Sequence, residues 1–411
     1  MILKIKGYFL WQKRKKAFKT MEFHYSDRMN GLSGNAIREI FKLLAQPDVV
    51  SFAGGMPASV CLPAEDVKRL AVECLERNPV GLLQYGSTEG YLPLRQTLTS
   101  FVNRVGIENQ TIDNVLVISG GQQGIDLACK TMLNKGDKVL VQKPTYLAVL
   151  HILKTYEAKP IGVETNDEGL DLEDLEKKIV SENPKFVYLV PNFSNPTGKT
   201  LSVQSRKKVA ELSKKYGVLI VEDDPYRELR YSGEHLPSIK SFDTHGGVLY
   251  LSSISKVIAP ALRVGYAVGA EELIRKMTIC KQAVDVHTNT LAQAVVNEYI
   301  TRDMLFPALE KAIPVYRKKR DVMIAALERE MPASFRFTRP DGGLFIWGEF
   351  TDGTSAVAKF KAAVENKVAF VSGTDFYADG SGENTLRLNF SNATEEQIEI
   401  GVKRLAEVFQ K

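Results

Sequence analysis

Between residues 110 and 270, short apolar runs rich in β-branched residues alternate with stretches of helical character. The runs occupy 115–118, 138–141, 186–190, 218–221 and 248–251. Apolar residues without polar alternation suit strands buried on both faces, and helical stretches between them, such as 201–216, suit the crossovers of a parallel sheet. The pattern predicts an α/β fold with a mostly parallel sheet covered by helices. Ligands of such sheets bind beyond the carboxyl ends of the strands, so the residues that follow each run are where chemistry is expected.

The texture changes near residue 300. A long charged helical stretch covers 305–330, strands are expected at 335–338, 343–350, 369–372 and 386–390, and a closing helix at 395–409. This predicts a smaller α+β domain of residues 34–60 and 300–411, completed by segments 37–44 and 49–52, around a large domain of residues 61–299, with an N-terminal arm at 1–33. A chain of 411 residues, 44% hydrophobic and 25% charged, is long and apolar enough for these cores. Its net charge of +5 is spread thinly apart from Lys13-Arg14-Lys15-Lys16, which argues against nucleic acid as a partner. Cys61, Cys74, Cys129 and Cys280 lie far apart, without the spacing of a metal site or disulfide framework, and fit a reducing, cytoplasmic compartment. The apolar residues of the first twenty are too few to span a bilayer, and the basic run follows them, the reverse of a signal peptide. Met1 and Met21 are equally acceptable starts.

The chemistry concentrates at strand ends. After 248–251 comes Ser252-Ser253-Ile254-Ser255-Lys256, with Arg263 seven positions on. Hydroxyls at Ser253 and Ser255 and the Arg263 guanidinium suit a phosphate oxyanion beside an amine that forms an imine. A carbonyl cofactor that carries a phosphate is pyridoxal 5′-phosphate. On its own the segment reads first as a surface lysine in a Ser-rich loop, and the rest of the chain decides for the cofactor. After 115–118 the turn Ser119-Gly120-Gly121-Gln122-Gln123-Gly124 opens a helix, which makes an anion site of unpaired N–H groups or a plain strand-to-helix turn. After 186–190 a rigid turn carries Asn195, an amide able to donate to a phenolate. After 218–221 come Glu222-Asp223-Asp224-Pro225-Tyr226: Asp223 or Asp224 can keep a pyridine nitrogen protonated, and Tyr226 can reach the ring oxygen. Tyr146 suits either stacking on that ring or the core.

In this order the segments resemble the class I/II aminotransferases of pyridoxal phosphate fold type I, nearest the 2-aminoadipate and kynurenine aminotransferases. The resemblance spans roughly residues 34–409. It rests on Ser51-Phe52-Ala53-Gly54-Gly55-Met56-Pro57, Leu83-Gln84-Tyr85-Gly86, Gly90-Tyr91-Leu92-Pro93-Leu94-Arg95, Gly120-Gly121-Gln122-Gln123, Asn195-Pro196-Thr197-Gly198, Asp223-Asp224-Pro225-Tyr226, Ser253-Ile254-Ser255-Lys256 and Leu386-Arg387-Leu388-Asn389-Phe390-Ser391. It implies that Lys256 forms the imine with the cofactor, that Asp223 pairs with the pyridine nitrogen, and that Asn195 and Tyr226 bind the phenolate oxygen. It further implies a phosphate cup of Gly121, Gln122, Ser253, Ser255 and Arg263, a substrate carboxylate held by Arg387 beside Gly55, and a homodimer in which Tyr85 reaches the neighbouring subunit's cofactor. Gly121 departs from the family pattern, where many members carry Ser. The segment Asn35-Ala36-Ile37-Arg38 resembles a substrate-side-chain segment loosely, and Arg38 reads equally as an ordinary helix arginine. The implied activity is transfer of an α-amino group from an amino acid to a 2-oxo acid. The rivals are a β-eliminating C–S lyase of the same fold and a cofactor-binding sensor related to winged-helix regulators; for the latter, the thirty-odd residues before the fold are too few for a DNA-binding domain.

Overall fold

A computed structural model of the protein describes residues 21–30, 32 and 48–410. The chain divides into two units, residues 1–32 and 33–411. In the first, the described residues form one short 3-10 turn, Asp27–Met29, with exposed side chains. Segment 37–44 and Arg38 lie outside the described residues.

The second unit begins its described part with β1 (Val50–Ser51). Seven strands then build the central sheet: β2 (Val115–Ile118), β3 (Lys138–Lys143), β4 (Lys159–Glu164), β5 (Phe186–Leu189), β6 (Leu219–Asp223), β7 (Val248–Ser253) and β8 (Gly265–Val268). They lie in the order β2-β8-β7-β6-β5-β3-β4, parallel except for β8, which runs antiparallel to both neighbours. The unalternated apolar runs are explained by two cores, one on each face. Val139, Val141, Tyr188, Val221 and Leu249 enter the larger core, while their neighbours Leu140, Val187, Ile220 and Val248 enter the smaller. Both faces of each inner strand are therefore withdrawn from water, and a polar residue among them would need a buried partner.

A second, antiparallel sheet follows, with β9 (Phe335–Phe337), β10 (Phe345–Phe350), β12 (Val371–Ser372) and β13 (Thr385–Asn389) in the order β12-β13-β10-β9, preceded in the chain of β12 by β11 (Val368–Ala369). The strand expected at 369–372 is thus split: β11 pairs with β1, Val50 opposite Val368, and β12 with β13. Helices Leu305–Glu330 and Glu395–Phe409 pack together against this end of the molecule. Two strands of the central sheet, β4 and β8, were not expected from sequence. β4 carries Pro160 and Gly162 and survives as an edge strand, where a missing N–H leaves no ladder bond unmade. Among the described residues no helix is long and apolar enough to cross a membrane.

Candidate active site

The carboxyl ends of β2, β5, β6 and β7 converge on one cavity of about 370 Å³, within the size range of small-molecule sites. One end of it is built for an anion. β2 ends at Ile118, and after Ser119 the chain is turned by Gly120, at φ 90°, into helix Gly121–Met132, so that the first amides of that helix are free of intrahelical partners. A Cβ at Gly120 would stand 2.9 Å from Arg263 Cζ, so glycine is needed there for space as well as for conformation. Opposite the helix start, Ser253 ends β7 and its hydroxyl accepts the Ser255 N–H at 3.2 Å, capping the 3-10 turn Ile254–Lys256. The two hydroxyls lie 3.0 Å apart. Arg263 donates through Nη2 to the Ser119 carbonyl at 3.0 Å and through Nη1 toward Ser255 Oγ at 3.4 Å. Helix amides, hydroxyls and a guanidinium thus share one corner.

Lys256 sits at the middle of the cavity, its Nζ donating to the Gly55 carbonyl at 2.6 Å. Burial, then the charges of Arg387 and Arg263, bring its pKa down to about 8. An amine so placed is far easier to deprotonate than an exposed lysine. Asp223 lines the floor, where its Oδ2 accepts the Tyr188 hydroxyl at 2.6 Å. Burial raises its carboxyl to about 7, against the hydrogen bond from Tyr188, which favours the charged form. A carboxylate so poorly solvated gains most from a cationic partner. Asp224, its neighbour, turns away from the cavity: it accepts from Asn192 Nδ2 at 2.8 Å and the Tyr250 hydroxyl at 3.3 Å, and its own backbone N–H donates to the Leu251 carbonyl. Of these two residues, only Asp223 lines the cavity.

At the far end, β13 delivers Arg387, which is 4% exposed. Its Nη1 donates to Asn195 Oδ1 at 2.8 Å and its Nη2 to the Ala53 carbonyl at 2.7 Å, while its Cζ lies 4.3 Å from the Phe345 ring centroid. Nε is buried and has no hydrogen-bond partner among the described residues. Burial lowers the Arg387 pKa to about 10, and the nearby phenols Tyr226 and Tyr146 oppose this. Among the described residues no carboxylate pairs with this guanidinium, and with an unsatisfied donor it is suited to bind one. Burial also pushes the Tyr226 hydroxyl upward, while its hydrogen bond with Asn195 works against the rise.

The cavity brings together Gly55, Gly121, Gln122, Tyr146, Asn195, Asp223, Tyr226, Ser253, Ser255, Lys256, Arg263 and Arg387. Tyr85 is not among its lining residues; it is 81% exposed, edge-on to the His287 ring. Arg38 lies outside the described residues. In the sequence Tyr188 and Phe345 each look like one more apolar core residue, and both are buried. Sequence order carries no signal for Tyr188, because its contact with Asp223 is made across neighbouring strands.

Residues 56–405 match the family described as aminotransferase class I and II. The chain belongs to that family. It is 39% identical over 396 residues to aromatic-amino-acid aminotransferase 1 of Thermococcus litoralis, covering 95% of each chain. It is also 39% identical over 377 residues to the 2-aminoadipate transaminase of Thermus thermophilus, covering 91% of this chain and 93% of that one. A crystal structure of the Pyrococcus horikoshii kynurenine aminotransferase in complex with PMP superposes with a TM-score of 0.90 at 39% identity, covering 94% of this chain and 96% of that one. The molecule is a fold type I, pyridoxal phosphate-dependent aminotransferase. The donor set fits that cofactor: an anion corner, a buried amine with a depressed pKa, and a buried carboxylate whose raised pKa a pyridinium would relieve. A Cβ added at Gly121 would meet Asp223 Oδ1 at 3.6 Å and Ser253 Cβ at 3.9 Å, ordinary contact distances, so the aminotransferase has room for a Cβ at Gly121.

Proposed function

We propose that the enzyme moves the α-amino group of an amino acid to a 2-oxo acid in two half-reactions, with the residue roles that follow. The observation that carries this reading is the convergence of Lys256, Asp223 and Arg387 on one cavity. When bound, pyridoxal phosphate supplies the carbonyl carbon that takes up the amino group and the ring that withdraws electrons from Cα. Gly121, Gln122, Ser253, Ser255 and Arg263 hold the phosphate. Tyr146 stacks on the ring, Asn195 and Tyr226 hold the phenolate oxygen, and Asp223 holds the proton of the pyridine nitrogen. Arg387 forks onto the substrate carboxylate, with Gly55 at its side, and so fixes which bond at Cα faces Lys256. Lys256 Nζ would take the Cα proton in its neutral form; its pKa of about 8 lets it act as a base near neutral pH.

The active enzyme is a homodimer in this reading. Val80, Leu83 and Tyr85 are 75%, 74% and 81% exposed beside one another in sequence, a density of bare apolar surface that a second copy would cover. Tyr85 then reaches the partner's phosphate site. Residues 34–60 with 300–411 form the small domain around 61–299, supported by the pairing of β1 with β11 and by the separate antiparallel sheet. The scattered, unpaired cysteines support a cytoplasmic setting. The test of the site is borohydride reduction of the cofactor-loaded enzyme followed by peptide mapping. The adduct is expected on Lys256; an adduct on another lysine, or none after reconstitution, overturns the assignment.

A further inference from the structure

Behind the glycine turn lies an ion pair between a buried lysine and a half-buried aspartate that the transfer reaction does not use. The side chain of Lys281 has no exposed surface, and its Nζ donates to Asp285 Oδ1 at 2.6 Å, one turn further along helix Glu271–Asp285. The other carboxylate oxygen of Asp285 accepts from Gln123 Nε2 at 2.7 Å and from Ser119 Oγ at 2.8 Å. Gln123 Oε1 accepts the Ser119 N–H at 2.7 Å, and the Ser119 carbonyl accepts from Arg263 Nη2 at 3.0 Å. Thr288 Oγ1 lies 3.0 Å from Ser119 Oγ. Every polar group of Ser119 is thereby engaged, each by a different partner element.

A fully buried ammonium costs much to desolvate, and pairing it returns little net stability. What the cluster provides is position. Ser119 is the last residue before Gly120 turns the chain, so its two backbone groups set how the helix amides are presented and where the Arg263 guanidinium is held. The chain between Asp285 and Thr288 passes through Val286 at φ 61°, a conformation a β-branched residue keeps only where its surroundings impose it. The turn is closed by the His287 N–H on the Asp285 carbonyl at 2.7 Å, and the residues at its two ends, Asp285 and Thr288, both meet Ser119 Oγ.

We propose that the Lys281–Asp285 pair is a positioning device for the phosphate end of the cofactor, acting through Gln123 and Ser119 on the glycine turn and on Arg263. The proposal rests on the reading of Gly121, Gln122, Ser253, Ser255 and Arg263 as the phosphate cup. Partners that orient ligating groups at one remove typically change affinity about 10-fold or more when removed.

The experiment titrates cofactor-free enzyme with pyridoxal phosphate and, separately, with pyridoxal, which lacks the phosphate, following the absorbance of the bound chromophore. The variants are Gln123→Met, which leaves the ion pair intact, the double replacement Lys281→Met with Asp285→Leu, which leaves no unpaired buried charge, and Arg263→Met as the reference. In the first two the Kd for pyridoxal phosphate should rise about 10-fold, with that for pyridoxal changed less than about 2-fold. Equal rises for both compounds would mean general loosening and overturn the proposal. So would unchanged values in the network variants while Arg263→Met loses phosphate selectivity. If Arg263→Met itself leaves the selectivity intact, the phosphate cup is wrongly assigned and the proposal falls with it.

Discussion

Asp223 and Asp224 are adjacent in sequence and face different surroundings, so the same substitution should do different things at each. Asp223→Asn removes the charge that holds the pyridine proton, and transamination should fall by orders of magnitude with little change in melting temperature. Asp224→Asn disturbs buried bonds to Asn192 and Tyr250, so it should cost stability, about 1–3 kcal/mol, with a smaller loss of rate. Kinetics and thermal melts of the two variants separate these outcomes; a larger rate loss at Asp224 contradicts the assignment. Lys256 gives a pH test. Its pKa is brought down to about 8 by burial and by Arg387 and Arg263, and only the neutral amine attacks a carbonyl. Capture of pyridoxal phosphate by cofactor-free enzyme should therefore accelerate as pH rises toward 8 and level off above it. Replacing Arg387 with Met removes one of the depressing charges and should move that midpoint upward. Arg387→Lys keeps charge but not the fork, and should weaken amino acid binding by about 2 to 5 kcal/mol, with no such loss for the amine that lacks the carboxylate.

Elements deliver these residues, and how far they could be read depends on how each is buried. The strands β2, β3, β5, β6 and β7 were legible because both faces are apolar, and the site residues that end them were legible by adjacency. β4 and β8 were not, since Pro160, Gly162 and Gly265 dilute the apolar signal and the partner strands that hold them are remote in sequence. Nor could sequence order show that Tyr188 meets Asp223, a contact made by neighbouring strands. The glycine turn offers an element-scale prediction. Gly120→Ala places a methyl against Arg263 at a φ that L-residues avoid, which should cost about 1–3 kcal/mol of local strain and lower cofactor affinity. At Gly121 an added Cβ meets only ordinary contacts, so in Gly121→Ser cofactor affinity should hold or improve; cofactor titration of both variants checks the contrast.

At the scale of the whole molecule, the proposed homodimer is open to test. Sedimentation should give twice the 45.8 kDa chain mass, and Leu83→Asp, which puts a charge into the bare apolar surface, should shift the enzyme toward monomer with loss of activity. The assembled enzyme must then do one thing above all: pass an amino group to its cofactor and release the carbon skeleton as an oxo acid. A single-turnover experiment tests this most directly, mixing the cofactor-loaded enzyme with one amino acid in the absence of any acceptor and quantifying both products. The account predicts one 2-oxo acid released and one pyridoxamine phosphate formed per active site, with no further turnover until a 2-oxo acid is added. Continued release of pyruvate and a thiol from an S-substituted cysteine, with no pyridoxamine phosphate formed from any amino acid of a broad panel, would contradict it.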